Sequence, residues 1–257
     1  MEQIKPLIKG NIGRDIIYLE TVDSTNRAAI EIADNGALHG TVVIADCQTK
    51  GRGRLGRTWV SPPASNIYMS IILRPNLEPE DATLLTIMAS VASARALRNA
   101  TGLPVGIKWP NDLIVHDKKL GGILSETRSI NSRIIFSVIG IGININSGLE
   151  DFPPDLRTVA TSIKNETGRE ESRVNLIANI LNEMDCWLKG LSKDGKEHLL
   201  AEWRRLTLTL KKSVKAVVGK DTFTGIAEDI DDKGMLLLRL PSGVLKKISA
   251  GDVTILR

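Results

Sequence analysis

Lys50-Gly51-Arg52-Gly53-Arg54-Leu55-Gly56-Arg57-Thr58-Trp59-Val60-Ser61-Pro62-Pro63 is the stretch on which the fold class turns. It follows an apolar run, Thr41 to Cys47, that reads as a buried strand. Gly51 to Gly56 formally fits G-x-G-x-x-G. Gly51 to Thr58 nearly fits a phosphate-binding P-loop, with Arg57 where a lysine belongs. Both motifs need a helix to begin at once, so that its N-terminus meets the phosphates. Here the chain runs into Trp59-Val60-Ser61-Pro62-Pro63, and paired prolines forbid a long regular helix. What survives is a ligand loop. Its glycines allow close backbone approach, and its arginine forks match carboxylate or phosphate oxygens. A solvated basic turn and a nucleic-acid contact are the competing readings. The ligand-loop reading predicts a segment that is mobile when no anion is present.

Upstream, Asp23-Ser24-Thr25 precedes Arg27–Asp34, whose alanine and isoleucine spacing is helical. Asp23 or Ser24 supplies an N-cap and Gly36 a stop. Asn66 to Leu73 reads as a second strand, bracketed by Pro62-Pro63 and Pro75. Leu84, Leu85, Met88, Val91, Ala92 and Leu97 form a helical stripe that ends before Gly102. Gly106 to Trp109 and Leu113 to His116 read as short strands around the turn Pro110-Asn111-Asp112. Ile134 to Ile145 is rich in β-branched residues, as strands are. Ser172 opens a long helix with Leu176, Ile177, Ile180, Leu181, Met184, Trp187 and Leu188 on one face, and Lys196 to Leu206 forms another.

The pattern changes near residue 210. Val214–Val218, Thr222–Ile230, Met235–Leu240, Val244–Ser249 and Val253–Leu256 are short strands, with tight turns at Asp232-Lys233-Gly234 and Pro241-Ser242-Gly243. Five short strands in so few residues predict a small barrel. The fold class expected is therefore α+β, divided into residues 1–208 and 209–257.

The 257 residues are 42% hydrophobic and 25% charged, ordinary for a globular chain. Met1 to Gly10 has no apolar core of a secretory signal, and no run reaches the roughly 18 apolar residues of a spanning helix. A cytoplasmic protein with no membrane partner is expected. Cys47 and Cys186 lie far apart without metal spacing, and read as reduced structural thiols. The net charge of +4 is largely local: Lys50, Arg52, Arg54 and Arg57 form one cluster, Lys118–Lys119 and Lys211–Lys212 two pairs. Nucleic-acid binding would require aromatic residues among these cations. Only 4% of residues are aromatic, and the C-terminal segment holds just Phe223.

Three further motifs carry chemistry. Lys108 stands in an apolar context beside Trp109-Pro110-Asn111-Asp112, so it reads as a cation in a cleft, able to offset developing phosphate charge. Asp112 reads as a ligand for a divalent cation bridging phosphates. A turn with a Lys–Asp surface pair is the plainer account of both. Asp23-Ser24-Thr25-Asn26 is a helix cap whose hydroxyls also suit a polar ligand. Gly140-Ile141-Gly142-Ile143-Asn144-Ile145-Asn146 is a strand whose glycines allow close ligand approach or merely a tight bend.

Taken in order, these motifs resemble those of biotin–protein ligases. Asp-Ser-Thr-Asn at 23–26 comes first. Then Gln48 precedes Gly-Arg-Gly-Arg-x-Gly-Arg-x-Trp, followed by Lys-Trp-Pro-Asn-Asp, Lys-Lys-Leu-Gly-Gly-Ile-Leu and Gly-x-Gly-Ile-Asn, all between residues 17 and 146. The resemblance implies a catalytic domain like class II aminoacyl-tRNA synthetases, a mixed sheet flanked by helices, plus a C-terminal SH3-like β-barrel. It implies that Ser24, Thr25, Asn26 and Gln48 line the biotin head-group site. Gly51, Arg52, Gly53, Arg54 and Trp59 would belong to a loop closing over the biotin tail and adenylate. Lys119 would approach the biotin carboxylate, with Gly121 and Gly122 beside it. Lys108 would be the main catalytic cation, assisted by Arg54 and Asp112. Asn111, Asp112 and Asn144 would sit at the nucleotide end, with Asp112 on the metal. The substrates and cofactors implied are biotin, ATP and Mg²⁺; the partner is a biotin carboxyl carrier protein of a biotin-dependent carboxylase, and a homodimer is a family-level expectation. Some relatives carry an N-terminal DNA-binding domain. Here the first motif begins at residue 23, so no DNA partner is expected. A lipoate–protein ligase shares the chemistry and is the nearest rival.

Overall fold

The computed structural model describes residues 2–193 and 195–256. Strand β1 (Ile16–Val22) leads into helix α1 (Thr25–Asp34) and back into β2 (Val42–Gln48). A single turn at Arg54–Gly56, strand β3 (Ile67–Leu73) and helix α2 (Thr83–Thr101) follow. Next come β4 (Gly106–Lys108), β5 (Asp112–Val115), β6 (Lys118–Ile130) and β7 (Arg133–Ile143). Helices α3 (Ile163–Thr167), α4 (Arg173–Lys193) and α5 (Lys196–Leu206) complete this part. The chain ends in β8 (Ser213–Val218), β9 (Asp221–Ile230), β10 (Leu236–Arg239), β11 (Leu245–Ile248) and β12 (Asp252–Ile255).

The first seven strands form one sheet in the order β1-β2-β3-β7-β6-β5-β4. Only β1 and β2 run parallel, so the sheet is mixed. Successive side chains point to opposite faces, and this period sorts the core. Val42, Ile44, Met69, Ile71, Ile139, Ile141 and Ile143 join the large core beneath α2, α4 and α5. Val43, Ile72, Phe136 and Val138 face the other way, onto Ala29 and Ala33 of α1.

That second face is apolar only part of the way along. At the same parity, β7 goes from Val138 to Gly140 and Gly142, and β3 from Ile72 to Ser70 and Tyr68. The face there is too small and too polar to pack a helix, so a hollow is left beyond the start of α1. Ser24 occupies the N-cap position of α1, but its side chain makes no capping hydrogen bond. The helix begins at Thr25, slightly before the apolar spacing begins, and ends at Asp34, with Asn35 as its C-cap and Gly36 in the left-handed region (φ +91°).

The second sheet is antiparallel throughout, in the order β11-β10-β9-β8-β12. Its Val214, Ala216, Ala227, Leu236 and Leu238 belong to the same continuous core as the first sheet. Trp109 ties the two together: its backbone N–H donates to Thr209 Oγ1 (2.9 Å) and its indole Nε1–H to the Gly234 carbonyl (3.1 Å).

Two strands escape the reading of the sequence. β1 is an edge strand whose residues are all half-buried or exposed, so its apolar signal is weak. β6 reads Lys-Lys-Leu-Gly-Gly-Ile-Leu-Ser-Glu-Thr-Arg-Ser-Ile, and its strand character comes from pairing with β5 and β7 on either side. Cys47 and Cys186 are both free thiols; Cys186 is exposed, so packing does not account for it. No helix among the described residues is long and apolar enough to cross a membrane.

Candidate functional site

The hollow is a cavity of about 400 Å³, in the range that takes a small organic ligand. Strand register decides what looks into it. Tyr68 pairs with Gly142, Gly142 with Gly122, Gly122 with Asp112 and Asp112 with Lys108. Directly opposed residues point to the same face, so these form one row across five strands. The row puts Lys108 and Asp112 in the cavity, at the end away from α1. Ser70, Gly140 and Leu124 form the neighbouring row, nearer α1.

At the α1 end the wall is polar and largely satisfied from within. Gln48 Oε1 accepts from the Thr25 backbone N–H (2.9 Å) and hydroxyl (3.1 Å), while Gln48 Nε2 donates to Ser61 Oγ (3.0 Å). The buried Ser70 hydroxyl lies 2.7 Å from Asn26 Oδ1 and 2.8 Å from Thr25 Oγ1. Asn26 Nδ2 donates to the Leu124 carbonyl (3.2 Å) and Glu126 Oε2 (2.9 Å). Thr25 and Asn26 are buried, and their polar groups find the partners they need in Gln48, Ser70, Leu124 and Glu126. Two glycines make room. A Cβ on Gly140 would collide with the Asn26 amide, and a Cβ on Gly142 would stand 2.8 Å from the Trp59 ring.

At the other end the site is cationic. The Lys119 ammonium meets Asp112 Oδ1 at 2.6 Å and lies 5.7 Å from the Trp59 ring centroid. Lys108 makes no ion pair among the described residues. Asn111 Nδ2 donates to the Ile123 carbonyl (2.6 Å) and Asn144 Nδ2 to the Thr161 carbonyl (3.0 Å), which fixes both amides. Arg54 donates to Asn111 Oδ1 (3.0 Å) and to the Gly251 carbonyl (3.2 Å). Burial pushes the Arg54 guanidinium below arginine's ordinary value, against the pull of Asp112 and Asp252. Burial likewise raises the Tyr68 phenol, whose hydroxyl donates to the Pro62 carbonyl (2.9 Å).

The segment Arg52–Thr58 is not an open loop in this structure. Arg52 and Thr58 form a β-bridge, the Gly53 N–H donates to the Arg57 carbonyl (2.7 Å), and the turn folds over the cavity. Its arginines are engaged: Arg52 with Glu126, Arg54 as above, and Arg57 with Asp252.

Of the residues expected from sequence, Ser24, Thr25, Asn26, Gln48, Arg52, Gly53, Arg54, Trp59, Lys108, Asn111, Asp112, Lys119, Gly122 and Asn144 all line this cavity. Gly51 and Gly121 do not; they stand behind the wall. The Gly51 carbonyl accepts the Trp59 N–H, and a Cβ on Gly121 would press on the Gly142 carbonyl. Ser70, Ser61, Glu126 and the Gly251–Asp252 corner were missed. Ser70 had a signal, as the one hydroxyl inside the apolar run Ile67–Leu73 bar Tyr68. Gly251 and Asp252 had none, because they arrive from the far end of the chain.

Among the described residues no cluster of three or more His, Cys, Asp or Glu side chains could cage a metal. Asp112 offers one carboxylate at the cationic end. That fits Mg²⁺, which needs only one or two carboxylates when phosphate oxygens and water supply the remaining ligands.

Comparison with known proteins gives a consistent set. A model described as "Biotin/lipoate A/B protein ligase family" matches residues 18–144, and one described as "Biotin protein ligase C terminal domain" matches residues 209–256. The chain is 37% identical over 242 residues to the "Bifunctional ligase/repressor BirA" of Bacillus spizizenii, covering 94% of this chain and 74% of that one. It is 32% identical over 254 residues to the "Biotin--[acetyl-CoA-carboxylase] ligase" of Mycobacterium tuberculosis, covering 96% of this chain and 91% of that one. The Aquifex aeolicus biotin protein ligase, solved in complex with biotin and ATP, superposes with a TM-score of 0.80 at 29% identity, over 95% of this chain and 99% of that one.

Proposed function

This chain belongs to the biotin/lipoate A/B protein ligase family and is a biotin–protein ligase, and from that premise we propose how its residues divide the work. The reaction joins biotin to ATP as biotinyl-5′-adenylate and then moves the biotin to a lysine of a biotin carboxyl carrier protein. One observation carries the division: the cavity has a hydrogen-bonding end at α1, lined by the uncharged Ser24, Thr25, Asn26 and Gln48, and a cationic end at the Lys108–Asp112 row.

Ser24, Thr25, Asn26 and Gln48 hold the head of biotin, whose urea-like ring offers donors and an acceptor to such a wall. The glycines of β7 let Trp59 and Asn26 seat against the sheet, and the Trp59 ring supplies an apolar wall for the tail. Lys119 meets the carboxylate where the tail ends. That carboxylate attacks the α-phosphorus of ATP, the bond to the bridging oxygen breaks, and pyrophosphate leaves with the electron pair. Carboxylate and triphosphate repel each other, so cations must offset the charge that gathers at the phosphorus. Lys108 fills that role because its ammonium is unspent in an ion pair, and Arg54 assists. Asn111 and Asn144, both fixed by backbone carbonyls, position the nucleotide. Mg²⁺ arriving with ATP would be held by Asp112 and would neutralise part of the triphosphate.

The adenylate is a mixed anhydride that water destroys, so the Arg52–Thr58 turn serves as a lid that excludes water. In the second step the acceptor amine attacks the acyl carbon and AMP leaves with its phosphate. No covalent enzyme intermediate is required. We read residues 1–208 as the catalytic domain, of the class II aminoacyl-tRNA-synthetase type on its antiparallel-rich sheet, and 209–257 as an SH3-like barrel. The end of α5 at Leu206 and the C-terminal family match from 209 support that boundary.

ATP–pyrophosphate exchange measured with biotin and with lipoate as separate arms tests this reading. Exchange driven by biotin alone is expected. Exchange driven by lipoate and not by biotin would overturn it.

A further inference from the structure

Glu126 on β6 has no part in the chemistry above, yet its carboxylate joins two parts of the site. Oε2 accepts from Asn26 Nδ2 at 2.9 Å and from Arg52 at 3.1 Å, and Oε1 faces the other Arg52 nitrogen at 2.9 Å. The Arg52 contact is a two-pronged fork on a carboxylate, the geometry that gives such pairs their direction. Behind Asn26 the chain of contacts continues through Ser70 and Thr25 to Gln48, so it passes through the whole head-group wall.

The lid is moored on two sides. Arg54 and Arg57 hold it to the Gly251–Asp252 corner of the second sheet. Arg52 holds it to Glu126, and through Glu126 to the wall that grips biotin. A glutamate side chain loses conformational freedom when held in one rotamer, and the Asn26 N–H already supplies that constraint. Arg52 therefore closes onto an acceptor that is oriented in advance, which lowers the cost of closing.

We propose that Glu126 is a positioning residue for the lid: it couples the head-group wall to closure through Arg52, and so governs how long the adenylate is retained rather than how fast it forms. The proposal rests on the ligase reading given above. It assigns to Glu126 no contact with biotin or ATP.

Glu126→Gln tests it. The amide keeps the shape and one oxygen for Asn26, and it removes the charge that faces Arg52. The readout is release of radiolabelled biotinyl-5′-adenylate from the full chain, followed by rapid gel filtration, alongside the KM for biotin in pyrophosphate exchange. Release should quicken by about three- to ten-fold, a range discounted because Arg52 is half exposed. The KM for biotin should stay within about two-fold, since the contacts to the head group remain. Arg52→Ala should quicken release to the same extent, and the double variant should be no faster than either single one. Should Glu126→Gln fold poorly, Arg52→Ala and the salt dependence of release carry the test, because Arg52 lies on the surface. Unchanged release in either single variant overturns the proposal. So does multiplication of the two effects, or a biotin KM that rises in step with release, which would mark a purely structural role. Absence of biotin-dependent exchange in the unmodified chain would overturn the ligase reading itself, and is told apart by that control.

Discussion

Gly140→Ala is the most direct probe of the proposed head-group wall, because it adds one methyl group at a place where the structure leaves no room. The new Cβ would stand 2.8 Å from Asn26 Cγ and 3.0 Å from Nδ2, and nearer still to Oδ1. Ordinary contact begins near 3.4 Å, so the amide must withdraw by roughly 1 Å. Asn26 is held at 2.7 Å by Ser70, 2.9 Å by Glu126 and 3.2 Å by Leu124, so a shift of that size breaks at least one of these bonds. One buried polar group left unsatisfied costs about 1–3 kcal/mol. A fall in stability of about 2 kcal/mol is therefore expected, together with a rise of about ten- to hundred-fold in the Kd for biotin. ATP binding, at the other end of the cavity, should be little changed. Calorimetric titration with each ligand and a urea melt give all three numbers. The double variant Gly140→Ala/Asn26→Ala removes the obstacle and should regain much of the stability while leaving biotin binding weak. A Gly140→Ala chain that binds biotin within about two-fold of the parent, with an unchanged melt, would falsify the placement of Asn26 in the binding wall.

Three other outcomes follow from contacts already described. Lys108→Ala should slow adenylate formation by about 10²–10³ while biotin binding survives, and near-normal pyrophosphate exchange would show that its charge is not needed. Arg54→Gly removes contacts to Asn111 and Gly251 worth about 1.5–3 kcal/mol, one to two decades in retention of the adenylate. Biotin should then appear on a bystander such as albumin, and labelling no greater than the parent's, with synthesis intact, contradicts the lid role. Glu202 gives a pH test: the Arg205 hydrogen bond, aided by Arg95 and opposed by burial, holds its carboxyl at about 2 instead of 4.5. A carboxyl depressed by folding stabilises the chain above its unfolded value, and that contribution fades as the pH falls from about 4.5 towards about 2. The advantage over Glu202→Gln should be about 1 kcal/mol at neutral pH, discounted for the exposed Arg205. It should shrink at pH about 3; an equal gap at both pH values would rule out the ion pair as its source.

Much of the candidate site was legible because the residues that line the cavity announce themselves locally. Ser24-Thr25-Asn26 opens a helix, and Lys108 to Asp112 bracket a turn between two strands, so short-range rules place both. The glycines of 140 and 142 stood out in an isoleucine strand, although only the structure shows that Asn26 and Trp59 fill the space they leave. The arginine turn was read as free, because sequence cannot pair Arg57 with Asp252 or Arg54 with Gly251 across nearly 200 residues. Glu126 was hidden for a related reason. Its strand is polar and glycine-rich, and without β6 assigned as a strand there was no parity from which to aim its side chain.

Trp109 has a consequence for how the chain tolerates alteration. Its indole donates to Gly234 and its backbone to Thr209, while Lys108 and Asn111 lie on either side of it. The hairpin that presents Lys108 is thus bolted to a piece of chain matched by a different family model. Amputating that piece would strand two donors and bare one of the largest buried side chains, next to Lys108 in the chain. Substitutions around Gly234, which does not line the cavity, should therefore register as lost catalysis, and a chain stopped where the first sheet stops should lose activity.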